Sequence, residues 1–149
     1  MFQLIKEQIV DADAQAVWSF VSNPNNLSKI TPSHMGFHIK TKPLPKAVYA
    51  GCMIEYTVKP LLGIPLNWIT EITVVEEGVY FVDEQRKGPY KMWHHEHFIE
   101  QRDGKVYMKD IISYIPPFGI LGKFLNWLFI RKQLDQIFKY REEAIKQYL

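Results

Sequence analysis

The stretch MWHHEHFIEQRDGKVYMKDIISYIPP, residues 92–117, decides how the rest of the chain is read. At its centre Asp103-Gly104 has the chemistry of a tight hairpin turn, since Asp and Gly tolerate the left-handed backbone such turns need. Met92 to Arg102 and Lys105 to Ile115 therefore read as paired antiparallel strands, the second ended by Pro116-Pro117. Side chains alternate between the faces of a strand, so the turn also sets who stands opposite whom. Counting back from it places His97 opposite Asp110, His95 opposite Ile112, and Trp93 opposite Tyr114.

The same period of two runs upstream to Gly51. Cys52, Ile54, Tyr56 and Val58 alternate with Met53, Glu55, Thr57 and Lys59. After a connection from Pro60 to Pro65 come Leu66 to Glu76, a Glu77-Gly78 turn, Val79 to Lys87, and a Gly88-Pro89-Tyr90 turn. Counting through these turns predicts Ile72 opposite Asp83, Thr70 opposite Gln85, Asp83 near His95 and Gln85 near Trp93. Long consecutive strands joined by short turns make an antiparallel meander.

Toward the N-terminus, Phe2 to Val10 reads as a strand. Asp13 is placed to cap a helix over Ala14 to Val21, with Val17, Trp18 and Phe20 turned inward. Asn23-Pro24 breaks it, a second short helix is predicted over Asn25 to Lys29, and a short strand near Phe37 to Lys40 follows. Gly119 to Leu149 reads as one long helix, with Ile130, Leu134, Ile137, Phe138, Ile145 and Tyr148 on one side. Its first turns, Ile120 to Ile130, are apolar nearly all round and call for cover on several sides. The expected fold class is α+β.

The registers gather one face across four strands: Trp68, Thr70, Ile72, Val74; Val79, Phe81, Asp83, Gln85; Trp93, His95, His97, Ile99; Met108, Asp110, Ile112, Tyr114. The opposite face carries Asn67, Glu71, Glu84, Arg86, His94, Glu96 and Lys109 and is the solvated one. A plain core would use Val, Ile, Leu and Phe. Two His, two Asp and a Gln among two Trp and a Tyr point instead to the lining of a cavity, because buried ionisable groups are costly unless paired.

Bulk properties agree with one domain spanning 1–149: 47% hydrophobic and 23% charged residues, with aromatics at 14%. A net charge of +2 offers no concentrated basic face, so no nucleic-acid partner is expected. The lone Cys52 excludes an internal disulfide framework. The first residues meet charge too early for a signal peptide, and no apolar run approaches the ~20 residues of a membrane span, so a cytoplasmic location is expected. Gly119-Ile120-Leu121-Gly122 lacks the Lys and Ser/Thr of a phosphate loop.

Asp83, His95, His97 and Asp110 form the most pointed constellation. They read as a polar clamp orienting the carbonyl, hydroxyl or carboxylate of an otherwise apolar ligand, or as a buried network that stiffens the sheet. Read catalytically, the candidates are His95 and His97 as acid or base with Asp110. His95 and His97 with one Asp also match a three-donor metal site, although neither a metal nor a cofactor is expected. Tyr56, Trp68, Trp93 and Tyr114 are predicted walls, with Gln85 and Phe124 completing the ligand contacts. Phe118 to Ile130 is expected to form the lid and mouth; its other readings are a dimer interface, leaving monomer and homodimer both open, and transient membrane contact helped by Lys123, Arg131 and Lys132.

Asn23-Pro24, Leu27, Ile30-Thr31-Pro32, Gly51, Ile54, Tyr56, Asp83, Gln85, Gly88-Pro89-Tyr90, Trp93, His95, His97, Asp110, Tyr114 and Pro116 together resemble a bacterial cyclase/dehydrase-like branch of the START-like (SRPBCC) superfamily. The resemblance covers nearly the whole chain and implies the helix-grip fold, a curved antiparallel sheet wrapped around a C-terminal helix. It implies binding of a small hydrophobic molecule, such as a lipid, polyketide or aromatic compound, between sheet and helix. A minority of the superfamily catalyse cyclisation or hydration, so the second expectation is an enzyme on a polyketide-like substrate using His95 or His97. The third is an interaction module built on the apolar helix start.

Overall fold

The computed structural model describes residues 1–61 and 63–149. Seven strands form one antiparallel sheet: β1 (Phe2–Val10), β2 (His38–Ile39), β3 (Met53–Leu61), β4 (Ile64–Glu76), β5 (Tyr80–Lys87), β6 (Met92–Arg102) and β7 (Lys105–Ile115). Their order across the sheet is β1-β7-β6-β5-β4-β3-β2, so β1 closes the meander by pairing with its last strand. Helix α1 (Ala14–Val21) starts where expected, its Ala16 N–H donating to Asp13 Oδ1 at 2.8 Å. A C-terminal helical stretch runs as α2 (Gly119–Leu125), a π-helical turn (Asn126–Ile130) and α3 (Arg131–Tyr148). This is the helix-grip architecture.

The β6–β7 hairpin has the predicted bounds, and both turn residues are left-handed, with φ of 50° at Asp103 and 73° at Gly104. Its register pairs His97 with Asp110, His95 with Ile112 and Trp93 with Tyr114. Four expectations need correction. The helix over residues 25–29 is instead two short 3₁₀ turns, Pro24–Asn26 and Ser33–Met35, because Pro24 opens a turn that Asn23 caps and Pro32 interrupts. The connection expected between residues 60 and 65 is shorter, since β3 and β4 pair as far as Leu61 and Ile64; Leu62 lies outside the described residues. The single C-terminal helix carries a π-helical turn where the apolar run is densest.

The fourth correction concerns Val74 and Val79, predicted to face inward. Val79 belongs to a three-residue turn, Glu77 to Val79, which shifts the register by one. A bulge at Thr73 shifts it back, so Ile72 still stands opposite Asp83, but the β4 residues between bulge and turn change faces while Phe81 of β5 stays inward. Val74 therefore looks outward and Val75 packs into the core.

Two apolar clusters hold the layers together. Val17 and Trp18 of α1 meet Ile72, Phe81, Met108 and Ile145 in one. Leu4, Trp68, Trp93, Ile112 and Tyr114 of the sheet meet Leu134 and Phe138 of α3 in the other. Burying each such side chain contributes roughly 1.5–3 kcal/mol relative to exposure.

Candidate functional site

Between the sheet, α3 and the loops of the 3₁₀ turns lies a cavity of about 190 Å³. Most of its wall is apolar: Ile54, Val58, Trp68, Ile72, Phe81 and Trp93 from the strands, Leu134, Ile137 and Phe138 from α3, and Leu27, Ile30 and Met35 from the turns. One side is polar, formed by Asp83, His95, His97 and Arg141. The period-two pattern explains this placement, since the three strand residues occupy inward positions of β5 and β6, and Asp83 pairs with His95.

These side chains and Asp110 behind them form one network. His97 Nε2 lies 2.6 Å from Asp83 Oδ2, and His97 Nδ1 lies 2.9 Å from Asp110 Oδ1. His95 mirrors it, with Nδ1 3.3 Å from Asp83 Oδ2 and Nε2 3.0 Å from Asp110 Oδ1. The imidazoles are 3.7 Å apart between centroids, and Phe81 stacks on His97 at 4.1 Å. Arg141 of α3 reaches over from the helix: its Nη2 donates to His97 Nδ1 at 3.2 Å and lies 3.6 Å from Asp110 Oδ1. Its Nε is buried with no hydrogen-bond partner among the described residues.

Burial opposes charge on every member, so the surviving shifts measure the partners. Burial works against the His95 cation, yet the carboxylates of Asp83 and Asp110 outweigh it and hold the imidazole above its ordinary range. Burial also opposes ionisation of Asp110, but the Arg141 guanidinium and the hydrogen bond from His95 hold its carboxyl well below the usual range. Asp83 is likewise held low, against burial, chiefly by His95 and by hydrogen bonds from both rings. With His95 protonated, the carboxylates of Asp83 and Asp110 face the Arg141 guanidinium and the His95 imidazolium.

A pH prediction follows from these directions. His95 is raised, so its stabilising contribution is complete below the ordinary imidazole range and fades as pH rises through the raised value. Asp83 and Asp110 are lowered, so theirs is complete above the ordinary carboxylate range and fades as pH falls toward the depressed values. Thermal denaturation across pH should show the highest midpoint between about pH 4 and about pH 6.5, declining on both sides. A midpoint still rising above about pH 8 would contradict the assignment.

Asp83, His95 and His97 offer one donor atom each, all within 4.8 Å of one another. The donor set has the count and chemistry of an open divalent-metal site, with Asp110 behind both rings as the outer carboxylate. Each donor is engaged within the network, so a metal would have to displace the proton between His97 and Asp83.

Of the expected ligand contacts, Tyr56, Trp68, Asp83, Trp93, His95 and His97 line the cavity. Asp110 and Tyr114 share that face but stand behind the lining, Tyr114 with its hydroxyl donating to Asn126 Oδ1 at 2.7 Å. Gln85 is turned onto the Tyr90 backbone, which it clamps through both amide atoms at 2.7 and 3.1 Å; strand pairing with β6 ends one residue earlier, at Glu84. Phe124 does not reach the cavity, because α2 turns its Gly122 face to the chain and leaves Phe124 outside, beside Trp127. The lid expected from residues 118–130 is displaced for the same reason: helix residues at the cavity begin with Gln133, which donates to the Pro60 carbonyl.

Sequence reading misses Arg141, although a signal for it exists. It continues the inward stripe of Leu134, Phe138 and Ile145, where a lone arginine needs a buried partner. Tyr90 also lines the cavity, burial pushing its hydroxyl up from the ordinary value. The turn residues Leu27, Ile30 and Met35 have no periodicity to betray them.

No family model matches the chain, and no curated protein matches it significantly. Solved structures do. A START superfamily protein of Mycobacterium smegmatis matches with a TM-score of 0.70 at 15% identity, over 99% of both chains. Ginseng major latex-like protein 151 of Panax ginseng gives 0.71 at 12% identity, over 99% of this chain and 96% of its own. A protein of Thermus thermophilus gives 0.68 at 12%, over 96% of each. At such identities these likenesses speak for architecture, and with the sheet order and the gripping helix they establish that this chain has the START-like helix-grip fold.

Proposed function

We propose that this chain is a single ligand-binding domain that holds a small, mostly apolar molecule with one oxygen-bearing end. The observation that carries this is the asymmetry of the cavity: a mostly apolar wall with one cluster of charge-bearing side chains, Asp83, His95, His97 and Arg141. At about 190 Å³ it is comparable with the roughly 150 Å³ cavity that accepts benzene, so one or two rings or a short chain fit. The apolar walls supply affinity, and the polar wall sets orientation. The unpartnered Arg141 Nε favours a ligand oxygen as acceptor, reached by a small shift of the guanidinium.

Trp68 and Trp93 stand in the wall, so ligand entry is readable by tryptophan fluorescence. Titration with benzene derivatives should show aromatic alcohols and carboxylates binding about tenfold more tightly than the parent hydrocarbons, the value of one oriented hydrogen bond. Equal affinities for all members, or none, would overturn the reading.

The contact of His97 with Asp83 favours a second reading, acid–base chemistry on the bound molecule. His97→Ala separates the two. A binder loses affinity modestly, whereas an enzyme loses turnover while binding survives.

A further inference from the structure

The first turns of the C-terminal helix are amphipathic in reverse. Gly122, Asn126 and Ile130 are the buried positions of α2 and the π-helical turn. Gly122 presents no side chain, and a Cβ there would lie 1.8 Å from the Pro117 carbonyl oxygen. Asn126 uses its amide on the Tyr114 hydroxyl, which leaves Ile130, with Leu125 half-buried beside it, as the apolar side chains facing in. The outward surface carries Phe118, Ile120, Leu121, Phe124, Trp127 and Phe129, each between 55% and 86% exposed. Scattered apolar residues are normal on a protein surface; a continuous set along one short segment marks a contact surface.

Charge identifies the partner. No Asp or Glu occurs between Asp110 and Asp135, while Lys123, Arg131 and Lys132 lie within or beside the patch. Arg131 is partly answered by Asp135 at 3.6 Å, and Lys123 and Lys132 have no carboxylate partner among the described residues. We propose that this face docks on an anionic lipid surface, its apolar side chains entering the boundary between headgroups and acyl chains and its lysines meeting the phosphates. A second copy of the chain fits worse. A twofold contact would set the patch against itself, bringing lysines toward lysines with no carboxylate to receive them. Trp127 suits the wet side of such a boundary, with an apolar ring and one N–H donor. No helix among the described residues is long and apolar enough to cross a membrane, so the contact is peripheral.

Flotation with vesicles of phosphatidylcholine and phosphatidylglycerol in equal parts, against phosphatidylcholine alone, tests the proposal. Trp18, Trp68 and Trp93 are buried, so a blue shift of emission on vesicle addition reports Trp127. The protein should float with the mixed vesicles, shift its emission, and release as salt is raised. Trp127→Ser with Phe129→Ser should lower partitioning at least about tenfold, and Lys123→Glu with Lys132→Glu should remove the preference for anionic vesicles. Circular dichroism and the thermal midpoint should be unchanged in both variants, because all four side chains are exposed. Flotation with neither vesicle overturns the proposal. So does a sedimenting dimer that Trp127→Ser with Phe129→Ser dissociates, or a lysine variant that binds anionic vesicles as well as the parent.

Discussion

Asp110→Ala lowers the thermal midpoint on the order of 10 °C, the size expected when one partner is removed from a buried charge network in a chain of this length. Asp110 is 5% exposed, and His95, His97 and Arg141 all approach one of its carboxylate oxygens, at 3.0, 2.9 and 3.6 Å. Truncating it leaves the Arg141 guanidinium and a protonated His95 facing one carboxylate, Asp83, so a net positive charge stays buried. The cost is about 3–5 kcal/mol, far above the loss of the methylene alone. Asp110→Asn keeps the volume but not the charge and should recover little of it. Glu142→Ala, which removes an exposed i,i+4 partner of Lys146, serves as the control and should leave the midpoint unmoved. A small effect of Asp110→Ala, comparable with that control, would show that the network does not hold the sheet to α3.

Ile137→Trp abolishes ligand uptake while the fold persists. Ile137 is half-buried on α3 and lines the cavity, so a larger side chain there extends into the cavity rather than into packed core. An indole displaces most of a space of about 190 Å³. Aromatic ligands that quench the wild-type fluorescence should bind the variant at least about 100-fold more weakly, the loss of some ~3 kcal/mol of apolar contact. The thermal midpoint should hold or rise as void is filled. Unchanged affinity in a folded Ile137→Trp protein would place the ligand elsewhere.

The hairpin around Asp103-Gly104 is legible because turn chemistry and side-chain period are both local, and together they set His97 against Asp110 before any tertiary contact is known. The register of Ile72 and Asp83 is right for an incomplete reason. A three-residue turn and the Thr73 bulge cancel, and neither has a pattern of its own in a run of β-branched residues. Phe124 reads inward because an apolar residue at a helix start is expected to be covered. What decides otherwise is Gly122 against Pro117 and Asn126 on Tyr114, contacts between elements that periodicity does not see. Arg141 escapes for the opposite reason, since an arginine among the charges of an amphipathic helix looks solvated until its place on the stripe of Leu134 and Phe138 is counted. The walls contributed by Leu27, Ile30 and Met35 depend on how two 3₁₀ turns fold across the sheet, which is a property of the assembled chain.

Native mass spectrometry of the protein purified from its host, followed by organic extraction of whatever leaves with it, tests most directly that the cavity holds a ligand. A defined small molecule with an apolar body and one oxygen-bearing end, present on the wild type and absent from Ile137→Trp, is the predicted result. A wild-type protein that arrives empty, and that no aromatic alcohol or carboxylate fills on titration, would contradict the account.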